Sequence, residues 1–164
     1  MYSAEFLTEM NHAYGCLKTK MTEIASAVFH RIFNIECGWH SGQHRKLENG
    51  NWYLPQFPIP VIRINGFCNI EIWFDKIIII AKRKQSAITN YSFEKFLDYK
   101  FEAYDTEDYN NVFYSPNSSV KQMKEDIIHS KGKEVEFYFS FPFDIDGKQI
   151  FEFAKLLRRE NFYI

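Results

Sequence analysis

The chain has 164 residues, 46% of them hydrophobic, and its 20 Lys and Arg nearly balance its 21 Asp and Glu. A chain of this length buries enough apolar surface to fold as one domain, residues 1–164, without disulfide support. Because the net charge is near zero, the chain produces no strong positive field that would attract nucleic acid or anionic lipid. Both are therefore disfavoured as partners.

The cysteines and the apolar runs indicate a cytoplasmic protein. Cys16, Cys37 and Cys68 form an odd, scattered set without a CxxC motif, which favours a reducing compartment over a disulfide framework. Polar residues from Glu5 onward interrupt any signal-peptide core. The longest strictly apolar run, residues 77–81, is far too short to span a membrane.

The N-terminal region carries a helical stripe. Apolar side chains recur in alternating steps of three and four, which predicts an amphipathic helix over about residues 4–32 with Ser3 as its cap. Such a helix is about 43 Å long, beyond the ~30 Å width of a domain this size. It must therefore bend or break near Gly15, or project and pair with a second copy in a homodimer. The stripe comprises Leu7, Met10, Tyr14, Leu17, Met21, Ile24 and Val28.

The middle of the chain predicts a β-meander at about residues 59–83. A Gly-rich loop is expected over 38–51, then a short strand over 52–54, and the prolines at 55, 58 and 60 favour an edge or irregular segment. Asn65-Gly66 is the pattern of a type I′ hairpin turn, which needs positive φ at both central residues. Four successive isoleucines after the turn at Asp75 predict a strand covered on both faces.

The last third of the chain alternates helices and strands. We predict helices over 92–99, from Ser118 or Ser119 to about 129, and after Asp146-Gly147. The predicted strands cover 100–104, 111–114 and 134–141. The whole pattern predicts one α+β domain with an antiparallel or mixed sheet and the helices largely on one face.

One stretch, CGWHSGQHRK over residues 37–46, contains residues suited to chemistry. Cys37, His40 and His44 are ligands that zinc prefers, but a structural site needs four, and spacing implies no fourth. A cysteine nucleophile beside His40 is the other chemical reading. The glycines favour a solvated loop, so we expect no metal, no cofactor and no catalytic residue here.

Two charged clusters favour solvated surface over a site. The acidic residues between Asp98 and Asp108 lack the spacing of an EF-hand loop. Lys82, Arg83 and Lys84 end a predicted strand, where basic side chains blunt a sheet edge. Trp73 and Tyr138 fall on the wetter faces of their strands, but nucleic-acid binding remains disfavoured.

The sequence therefore favours a non-enzymatic binding or protein-interaction module. A small α+β domain without catalytic motifs is typical of bacterial proteins that bind a partner, for example immunity proteins that neutralise toxins. Aromatic residues suit interfaces because they bury large area with few rotors, and the candidate interaction surface is Trp39, Trp52, Tyr53 and Phe57. The alternative is an enzyme or metal protein centred on Cys37, His40 and His44.

Overall fold

The computed structural model describes residues 4–28, 34–41, 58–64, 66–108 and 111–164, without the side chains of Phe6, Leu7, His40, Ser41 and Pro58. The described helices are α1 (Ala4–Val28), α2 (Gln85–Ile88), α3 (Val120–His129) and α4 (Gly147–Arg159), with a 3-10 turn at Glu94–Phe96. The strands are β1 (Ile35–Ser41), β2 (Pro58–Ile64), β3 (Cys68–Ile72), β4 (Lys76–Lys84), β5 (Lys100–Asp105), β6 (Val112–Tyr114) and β7 (Glu134–Pro142).

Seven strands form one sheet in the order β1-β2-β3-β4-β7-β5-β6. Every neighbouring pair is antiparallel, so the antiparallel form of the predicted α+β fold is confirmed. The meander β2-β3-β4 is confirmed as well. Strand β7, distant in sequence, inserts between β4 and β5 and joins the two halves of the sheet.

The helices cover one face of the sheet, as predicted. There, Phe139 of β7 packs on Phe96 of the 3-10 turn and Phe153 of α4, with ring centroids 5.4 and 4.9 Å apart. Helix α1 contacts α4 and strands β1, β2 and β3. This helix face holds the main core, because alternate residues of each strand point into it.

Helix α1 is continuous through Gly15, so the predicted break does not occur. Three members of the stripe are buried within the monomer, since Leu17 is 1% exposed and both Ile24 and Val28 are 0% exposed. Met10, Tyr14 and Met21 are partly buried. The predicted extension past Val28 lies outside the described residues. The second half of the stripe therefore belongs largely to the core of the monomer.

Strand β1 corrects the loop predicted over residues 38–51, which is wrong at its start. Residues 38–41 continue β1 and pair with β2, where Gly38 faces Val61 and Trp39 faces Pro60. Glycine weakens a strand but does not prevent pairing. The rest of that loop and the strand predicted over 52–54 lie outside the described residues.

The prolines of β2 lie where the strand has one neighbour. Strand β2 sits between β1 and β3, but its pairing with β3 begins only at Val61. Pro58 and Pro60 therefore occupy a local edge, where a missing N–H leaves no ladder bond unmade on that side.

The two predicted hairpin connections are present, while Asn65 lies outside the described residues and the type I′ geometry stays a prediction. Gly66 has φ +92°, as predicted, and the Phe67 N–H donates to the Ile64 carbonyl at 3.2 Å. At the next turn the Trp73 N–H donates to the Lys76 carbonyl at 2.9 Å. Both are local contacts, which explains why the sequence specified them well.

The second half of the chain follows the prediction with two corrections. The helix predicted over 92–99 is only a 3-10 turn, and the short α2 was not predicted. The predicted cap of α3 is present, since the Ser119 side chain accepts from the Lys121 N–H at 3.2 Å. Helix α4 starts at the predicted Asp146-Gly147 turn, where the Asp146 side chain accepts from the Lys148 N–H at 2.8 Å.

The opposite side of the sheet, called here the helix-free face, also buries aliphatic side chains. Among the described residues no helix contacts it. Ile59, Val61, Ile78 and Ile80 are nevertheless 3%, 3%, 5% and 8% exposed and stand apart from the main core. The four isoleucines of β4 are therefore buried on both faces, as their sequence predicted.

Candidate functional site

The structure describes the cysteine and histidine stretch only in part. Cys37 and His40 lie three residues apart on β1, opposite Ile62 and Ile59 respectively. Positions an odd number apart fall on opposite faces of a strand, which disfavours a shared site. His44 lies outside the described residues. Within the part of the chain that the structure describes, no three His, Cys, Asp or Glu side chains form a metal-binding group.

Cys37 and Cys68 lack the features of an activated nucleophile. Burial raises the pKa of Cys37, whereas a reactive thiolate needs a lowered pKa. Cys68 is fully buried in β3, and burial raises its pKa to about 12. These two environments favour unreactive thiols. Cys16 lies exposed on α1 with its Sγ 4.0 Å from His12 Nε2.

The acidic cluster is dispersed. Asp105 is 4% exposed and its Oδ1 accepts from the Glu107 N–H at 2.9 Å, which stabilises the turn after β5. Glu102 lies on the helix-free face and accepts from the Tyr104 hydroxyl at 2.5 Å. The two carboxylates thus have separate partners and separate faces.

The basic run at the end of β4 is also divided between faces. Arg83 is 9% exposed and its guanidinium carbon lies 3.7 Å from the Tyr91 ring centroid. The Nζ of Lys82 lies 3.8 Å from Oε1 of Glu136 on the neighbouring strand β7. Because Arg83 is buried and Lys82 is paired with an acidic side chain, these residues do not form a continuous basic patch.

A broad cavity of about 830 Å³ opens on the helix-free face over β4, β7 and β5. The Tyr104 and Tyr138 rings meet edge to face at 5.2 Å in its wall. The charged side chains among the described lining residues are two acids and two lysines, so their charges balance. Those side chains are Asp75, Lys76, Lys100 and Glu102.

An exposed aromatic patch lies on the helix face, where α1 meets β1 and the β3–β4 turn. Tyr14 of α1 packs against Trp39 of β1 and Phe74 of the β3–β4 turn, with ring centroids 6.1 and 5.9 Å apart. Trp39 and Phe74 are each 45% exposed despite these contacts. We call Tyr14, Trp39 and Phe74 the aromatic patch. A cavity of about 400 Å³ lies beside it, lined by Tyr14, Gly15, Lys18 and Trp39.

The patch only partly matches the surface expected from the sequence. Trp39 is the shared member, whereas Trp52, Tyr53 and Phe57 lie outside the described residues. Phe74 and Tyr14 were not predicted as surface residues, because only the packing of α1 on the sheet brings them to Trp39. Within the described residues, no helix combines the length and apolarity needed to cross a membrane.

The fold is that of an α+β domain built on one antiparallel sheet, with the helices on one face. A solved structure of this fold is a conserved hypothetical protein from Pyrococcus furiosus, with a TM-score of 0.70 and 16% identity over 94% of this chain and 98% of that chain. At that identity the likeness shows the fold alone. No protein-family model matches the chain, and no curated protein matches it in sequence.

Proposed function

We propose that the chain is a non-enzymatic protein-interaction module, of the general kind represented by bacterial immunity proteins. The aromatic patch is its contact surface. The observation that carries this proposal is the exposure of Trp39 and Phe74, each 45%, on either side of the Tyr14 ring that both contact. The surface expected from the sequence shares Trp39 with this patch.

Physical chemistry favours an interface at this position. Trp and Tyr dominate protein interfaces because they bury large apolar area while losing few rotamers. Tyr14 fixes the Trp39 and Phe74 rings before binding, which lowers the entropy lost on association. Cavities next to Trp39 and along β1 accept the side chains of a partner.

The chemistry of the alternative site has less support. Cys37 and His40 lie three positions apart on β1, a spacing that alternates between the faces of a strand, and the Cys37 pKa is raised by burial rather than lowered. Elemental analysis of chelator-washed protein tests this alternative. Stoichiometric zinc, lost on replacing Cys37 with Ser, would support a metal protein against our proposal.

Site-specific photo-crosslinking tests the interaction surface. A benzophenone amino acid at Phe74 should capture a protein that the same group at Leu97, 52% exposed and remote from the patch, does not. The captured protein is then purified, and its dissociation constant is measured. Trp39→Ala should weaken binding at least tenfold, while the control Ile128→Ala should leave it unchanged.

Two results would overturn the proposal. The first is equal capture at positions 74 and 97. The second is an unchanged dissociation constant for Trp39→Ala when its melting temperature equals that of the parent chain.

A further inference from the structure

Strand β1 is a long edge of the sheet. It pairs with β2 over seven residues, and on its other side no described strand lies beside it. The opposite edge strand, β6, has only three residues. A long regular edge presents a row of backbone N–H and carbonyl groups that favours pairing with another chain, and short edges avoid this.

We infer that the occupant of this edge is a second copy of the chain, with the two β1 strands paired antiparallel about a two-fold axis. This inference rests on the proposed function and names the partner of the same surface. A two-fold axis perpendicular to the sheet keeps the helices of both copies on one face. Centring the axis at Gly38, the middle of β1, pairs all seven residues of each strand.

That register brings complementary features together. Cys37 then lies opposite Trp39 of the second copy, on the helix face. A cavity of about 370 Å³ already exists beside Cys37, and Met21, Ala25 and Ile35 also line it. Directly opposed side chains have Cβ atoms about 5 Å apart, so the exposed Trp39 ring reaches this apolar cavity of the other copy.

The register is also compatible at its centre. Gly38 faces its own counterpart, so no side chains clash at the axis. The same cavity is rimmed by Thr22 and Ser26 of α1, whose small side chains leave room for the approaching chain.

Light scattering of the full chain gives the first test. We expect twice the 19.6 kDa mass of one chain and a dimer dissociation constant raised at least tenfold by Trp39→Ala. The control Ile128→Ala replaces another exposed apolar side chain, 52% exposed on α3, and should not change the constant. Circular dichroism melting shows whether each variant stays folded.

Disulfide trapping tests the register. Gly38→Cys, combined with Cys16→Ser and Cys37→Ser, places two thiols opposite each other at the axis. Directly paired strand residues have Cα atoms about 4.5–5.5 Å apart, within the ~4.4–6.8 Å that a disulfide spans. Oxidised glutathione should convert the two thiols into a covalent dimer and itself be reduced. Thr89→Cys in the same background should stay monomeric under these conditions.

The outcomes separate this inference from the proposed function. A mass of one chain at micromolar concentration overturns the second copy, and so does a dimer that does not cross-link at position 38. Capture of a different protein at Phe74 would then leave the interaction module standing. Failure of both capture and dimerisation overturns both.

Discussion

Gly66 shows how a single residue determines a turn. Its φ of +92° lies in the left-handed region, and a Cβ at this position would meet no atom within 4 Å. The cost of substitution is therefore conformational and not steric. We expect Gly66→Val to lower the free energy of unfolding by about 1–2 kcal/mol, measured by urea titration. Gly66→Asn, which tolerates this region, should cost less, and equal effects of the two variants would contradict the argument.

Gly15 is a residue that the fold does not require. It lies within the continuous helix α1, and a Cβ there would also meet no atom within 4 Å. Glycine is about 0.8–1.0 kcal/mol less favourable than alanine in a helix interior. Gly15→Ala should therefore raise the free energy of unfolding by about 1 kcal/mol in urea titration. A destabilised variant would show that Gly15 has a packing role that the structure does not reveal.

At the scale of the elements, α1 belongs to the monomer core. Leu17 is 1% exposed, whereas its neighbour Lys18 is exposed. Leu17→Glu places a charge among apolar side chains and should cost more than about 3 kcal/mol. We expect unfolded or aggregated protein by circular dichroism. Lys18→Glu is the matched control and should remain folded. A folded, monomeric Leu17→Glu variant would instead indicate that the stripe forms an interface with another chain.

The sequence predicted those elements that local contacts specify. The hairpin at Gly66, the cap at Ser119 and the turn at Asp146 depend on residues a few positions apart, and they are present where expected. Strand β1 was not predicted because glycine and histidine give no periodic signal, and its pairing with β2 reaches across an intervening segment. The position of β7 between β4 and β5 is likewise set by tertiary pairing.

The candidate site was predictable only through Trp39. An exposed tryptophan on an edge strand has a sequence signal, namely an aromatic residue among glycines and polar residues. Tyr14 reads as part of a buried stripe, and Phe74 reads as the end of a strand. Their approach to Trp39 depends on how α1 crosses the sheet. The sequence could not specify this crossing because distant packing determines it.

At the scale of the whole molecule, the residues after α4 are attached to strand β4 by backbone hydrogen bonds. The Tyr163 and Lys82 backbones exchange hydrogen bonds of 3.0 and 2.6 Å, so the last residues extend the sheet beside β4. Arg83 donates from Nη1 to the Glu160 carbonyl and lies over the Tyr91 ring. Burial lowers the pKa of Arg83. These contacts join β4, the segment after α2 and the end of α4 into one unit.

The side-chain contacts of Glu160 make the attachment of this C-terminal segment sensitive to acid. Its side chain, 10% exposed, accepts from Lys95 Nζ at 2.6 Å and the Tyr91 hydroxyl at 2.8 Å. The pKa of Glu160 is lowered from its ordinary 4.5, chiefly by the hydrogen bond from Lys95. The stability that ionised Glu160 contributes is therefore present above pH 4.5 and is lost as the pH falls through the lowered pKa. Glu160→Gln should cost about 1–3 kcal/mol at neutral pH, and the cost should shrink in acid, as measured by urea unfolding at both pH values. Glu152→Gln removes an exposed carboxylate of the preceding helix α4 and should change little. A cost for Glu160→Gln that stays constant with pH would contradict the ionic origin of this attachment.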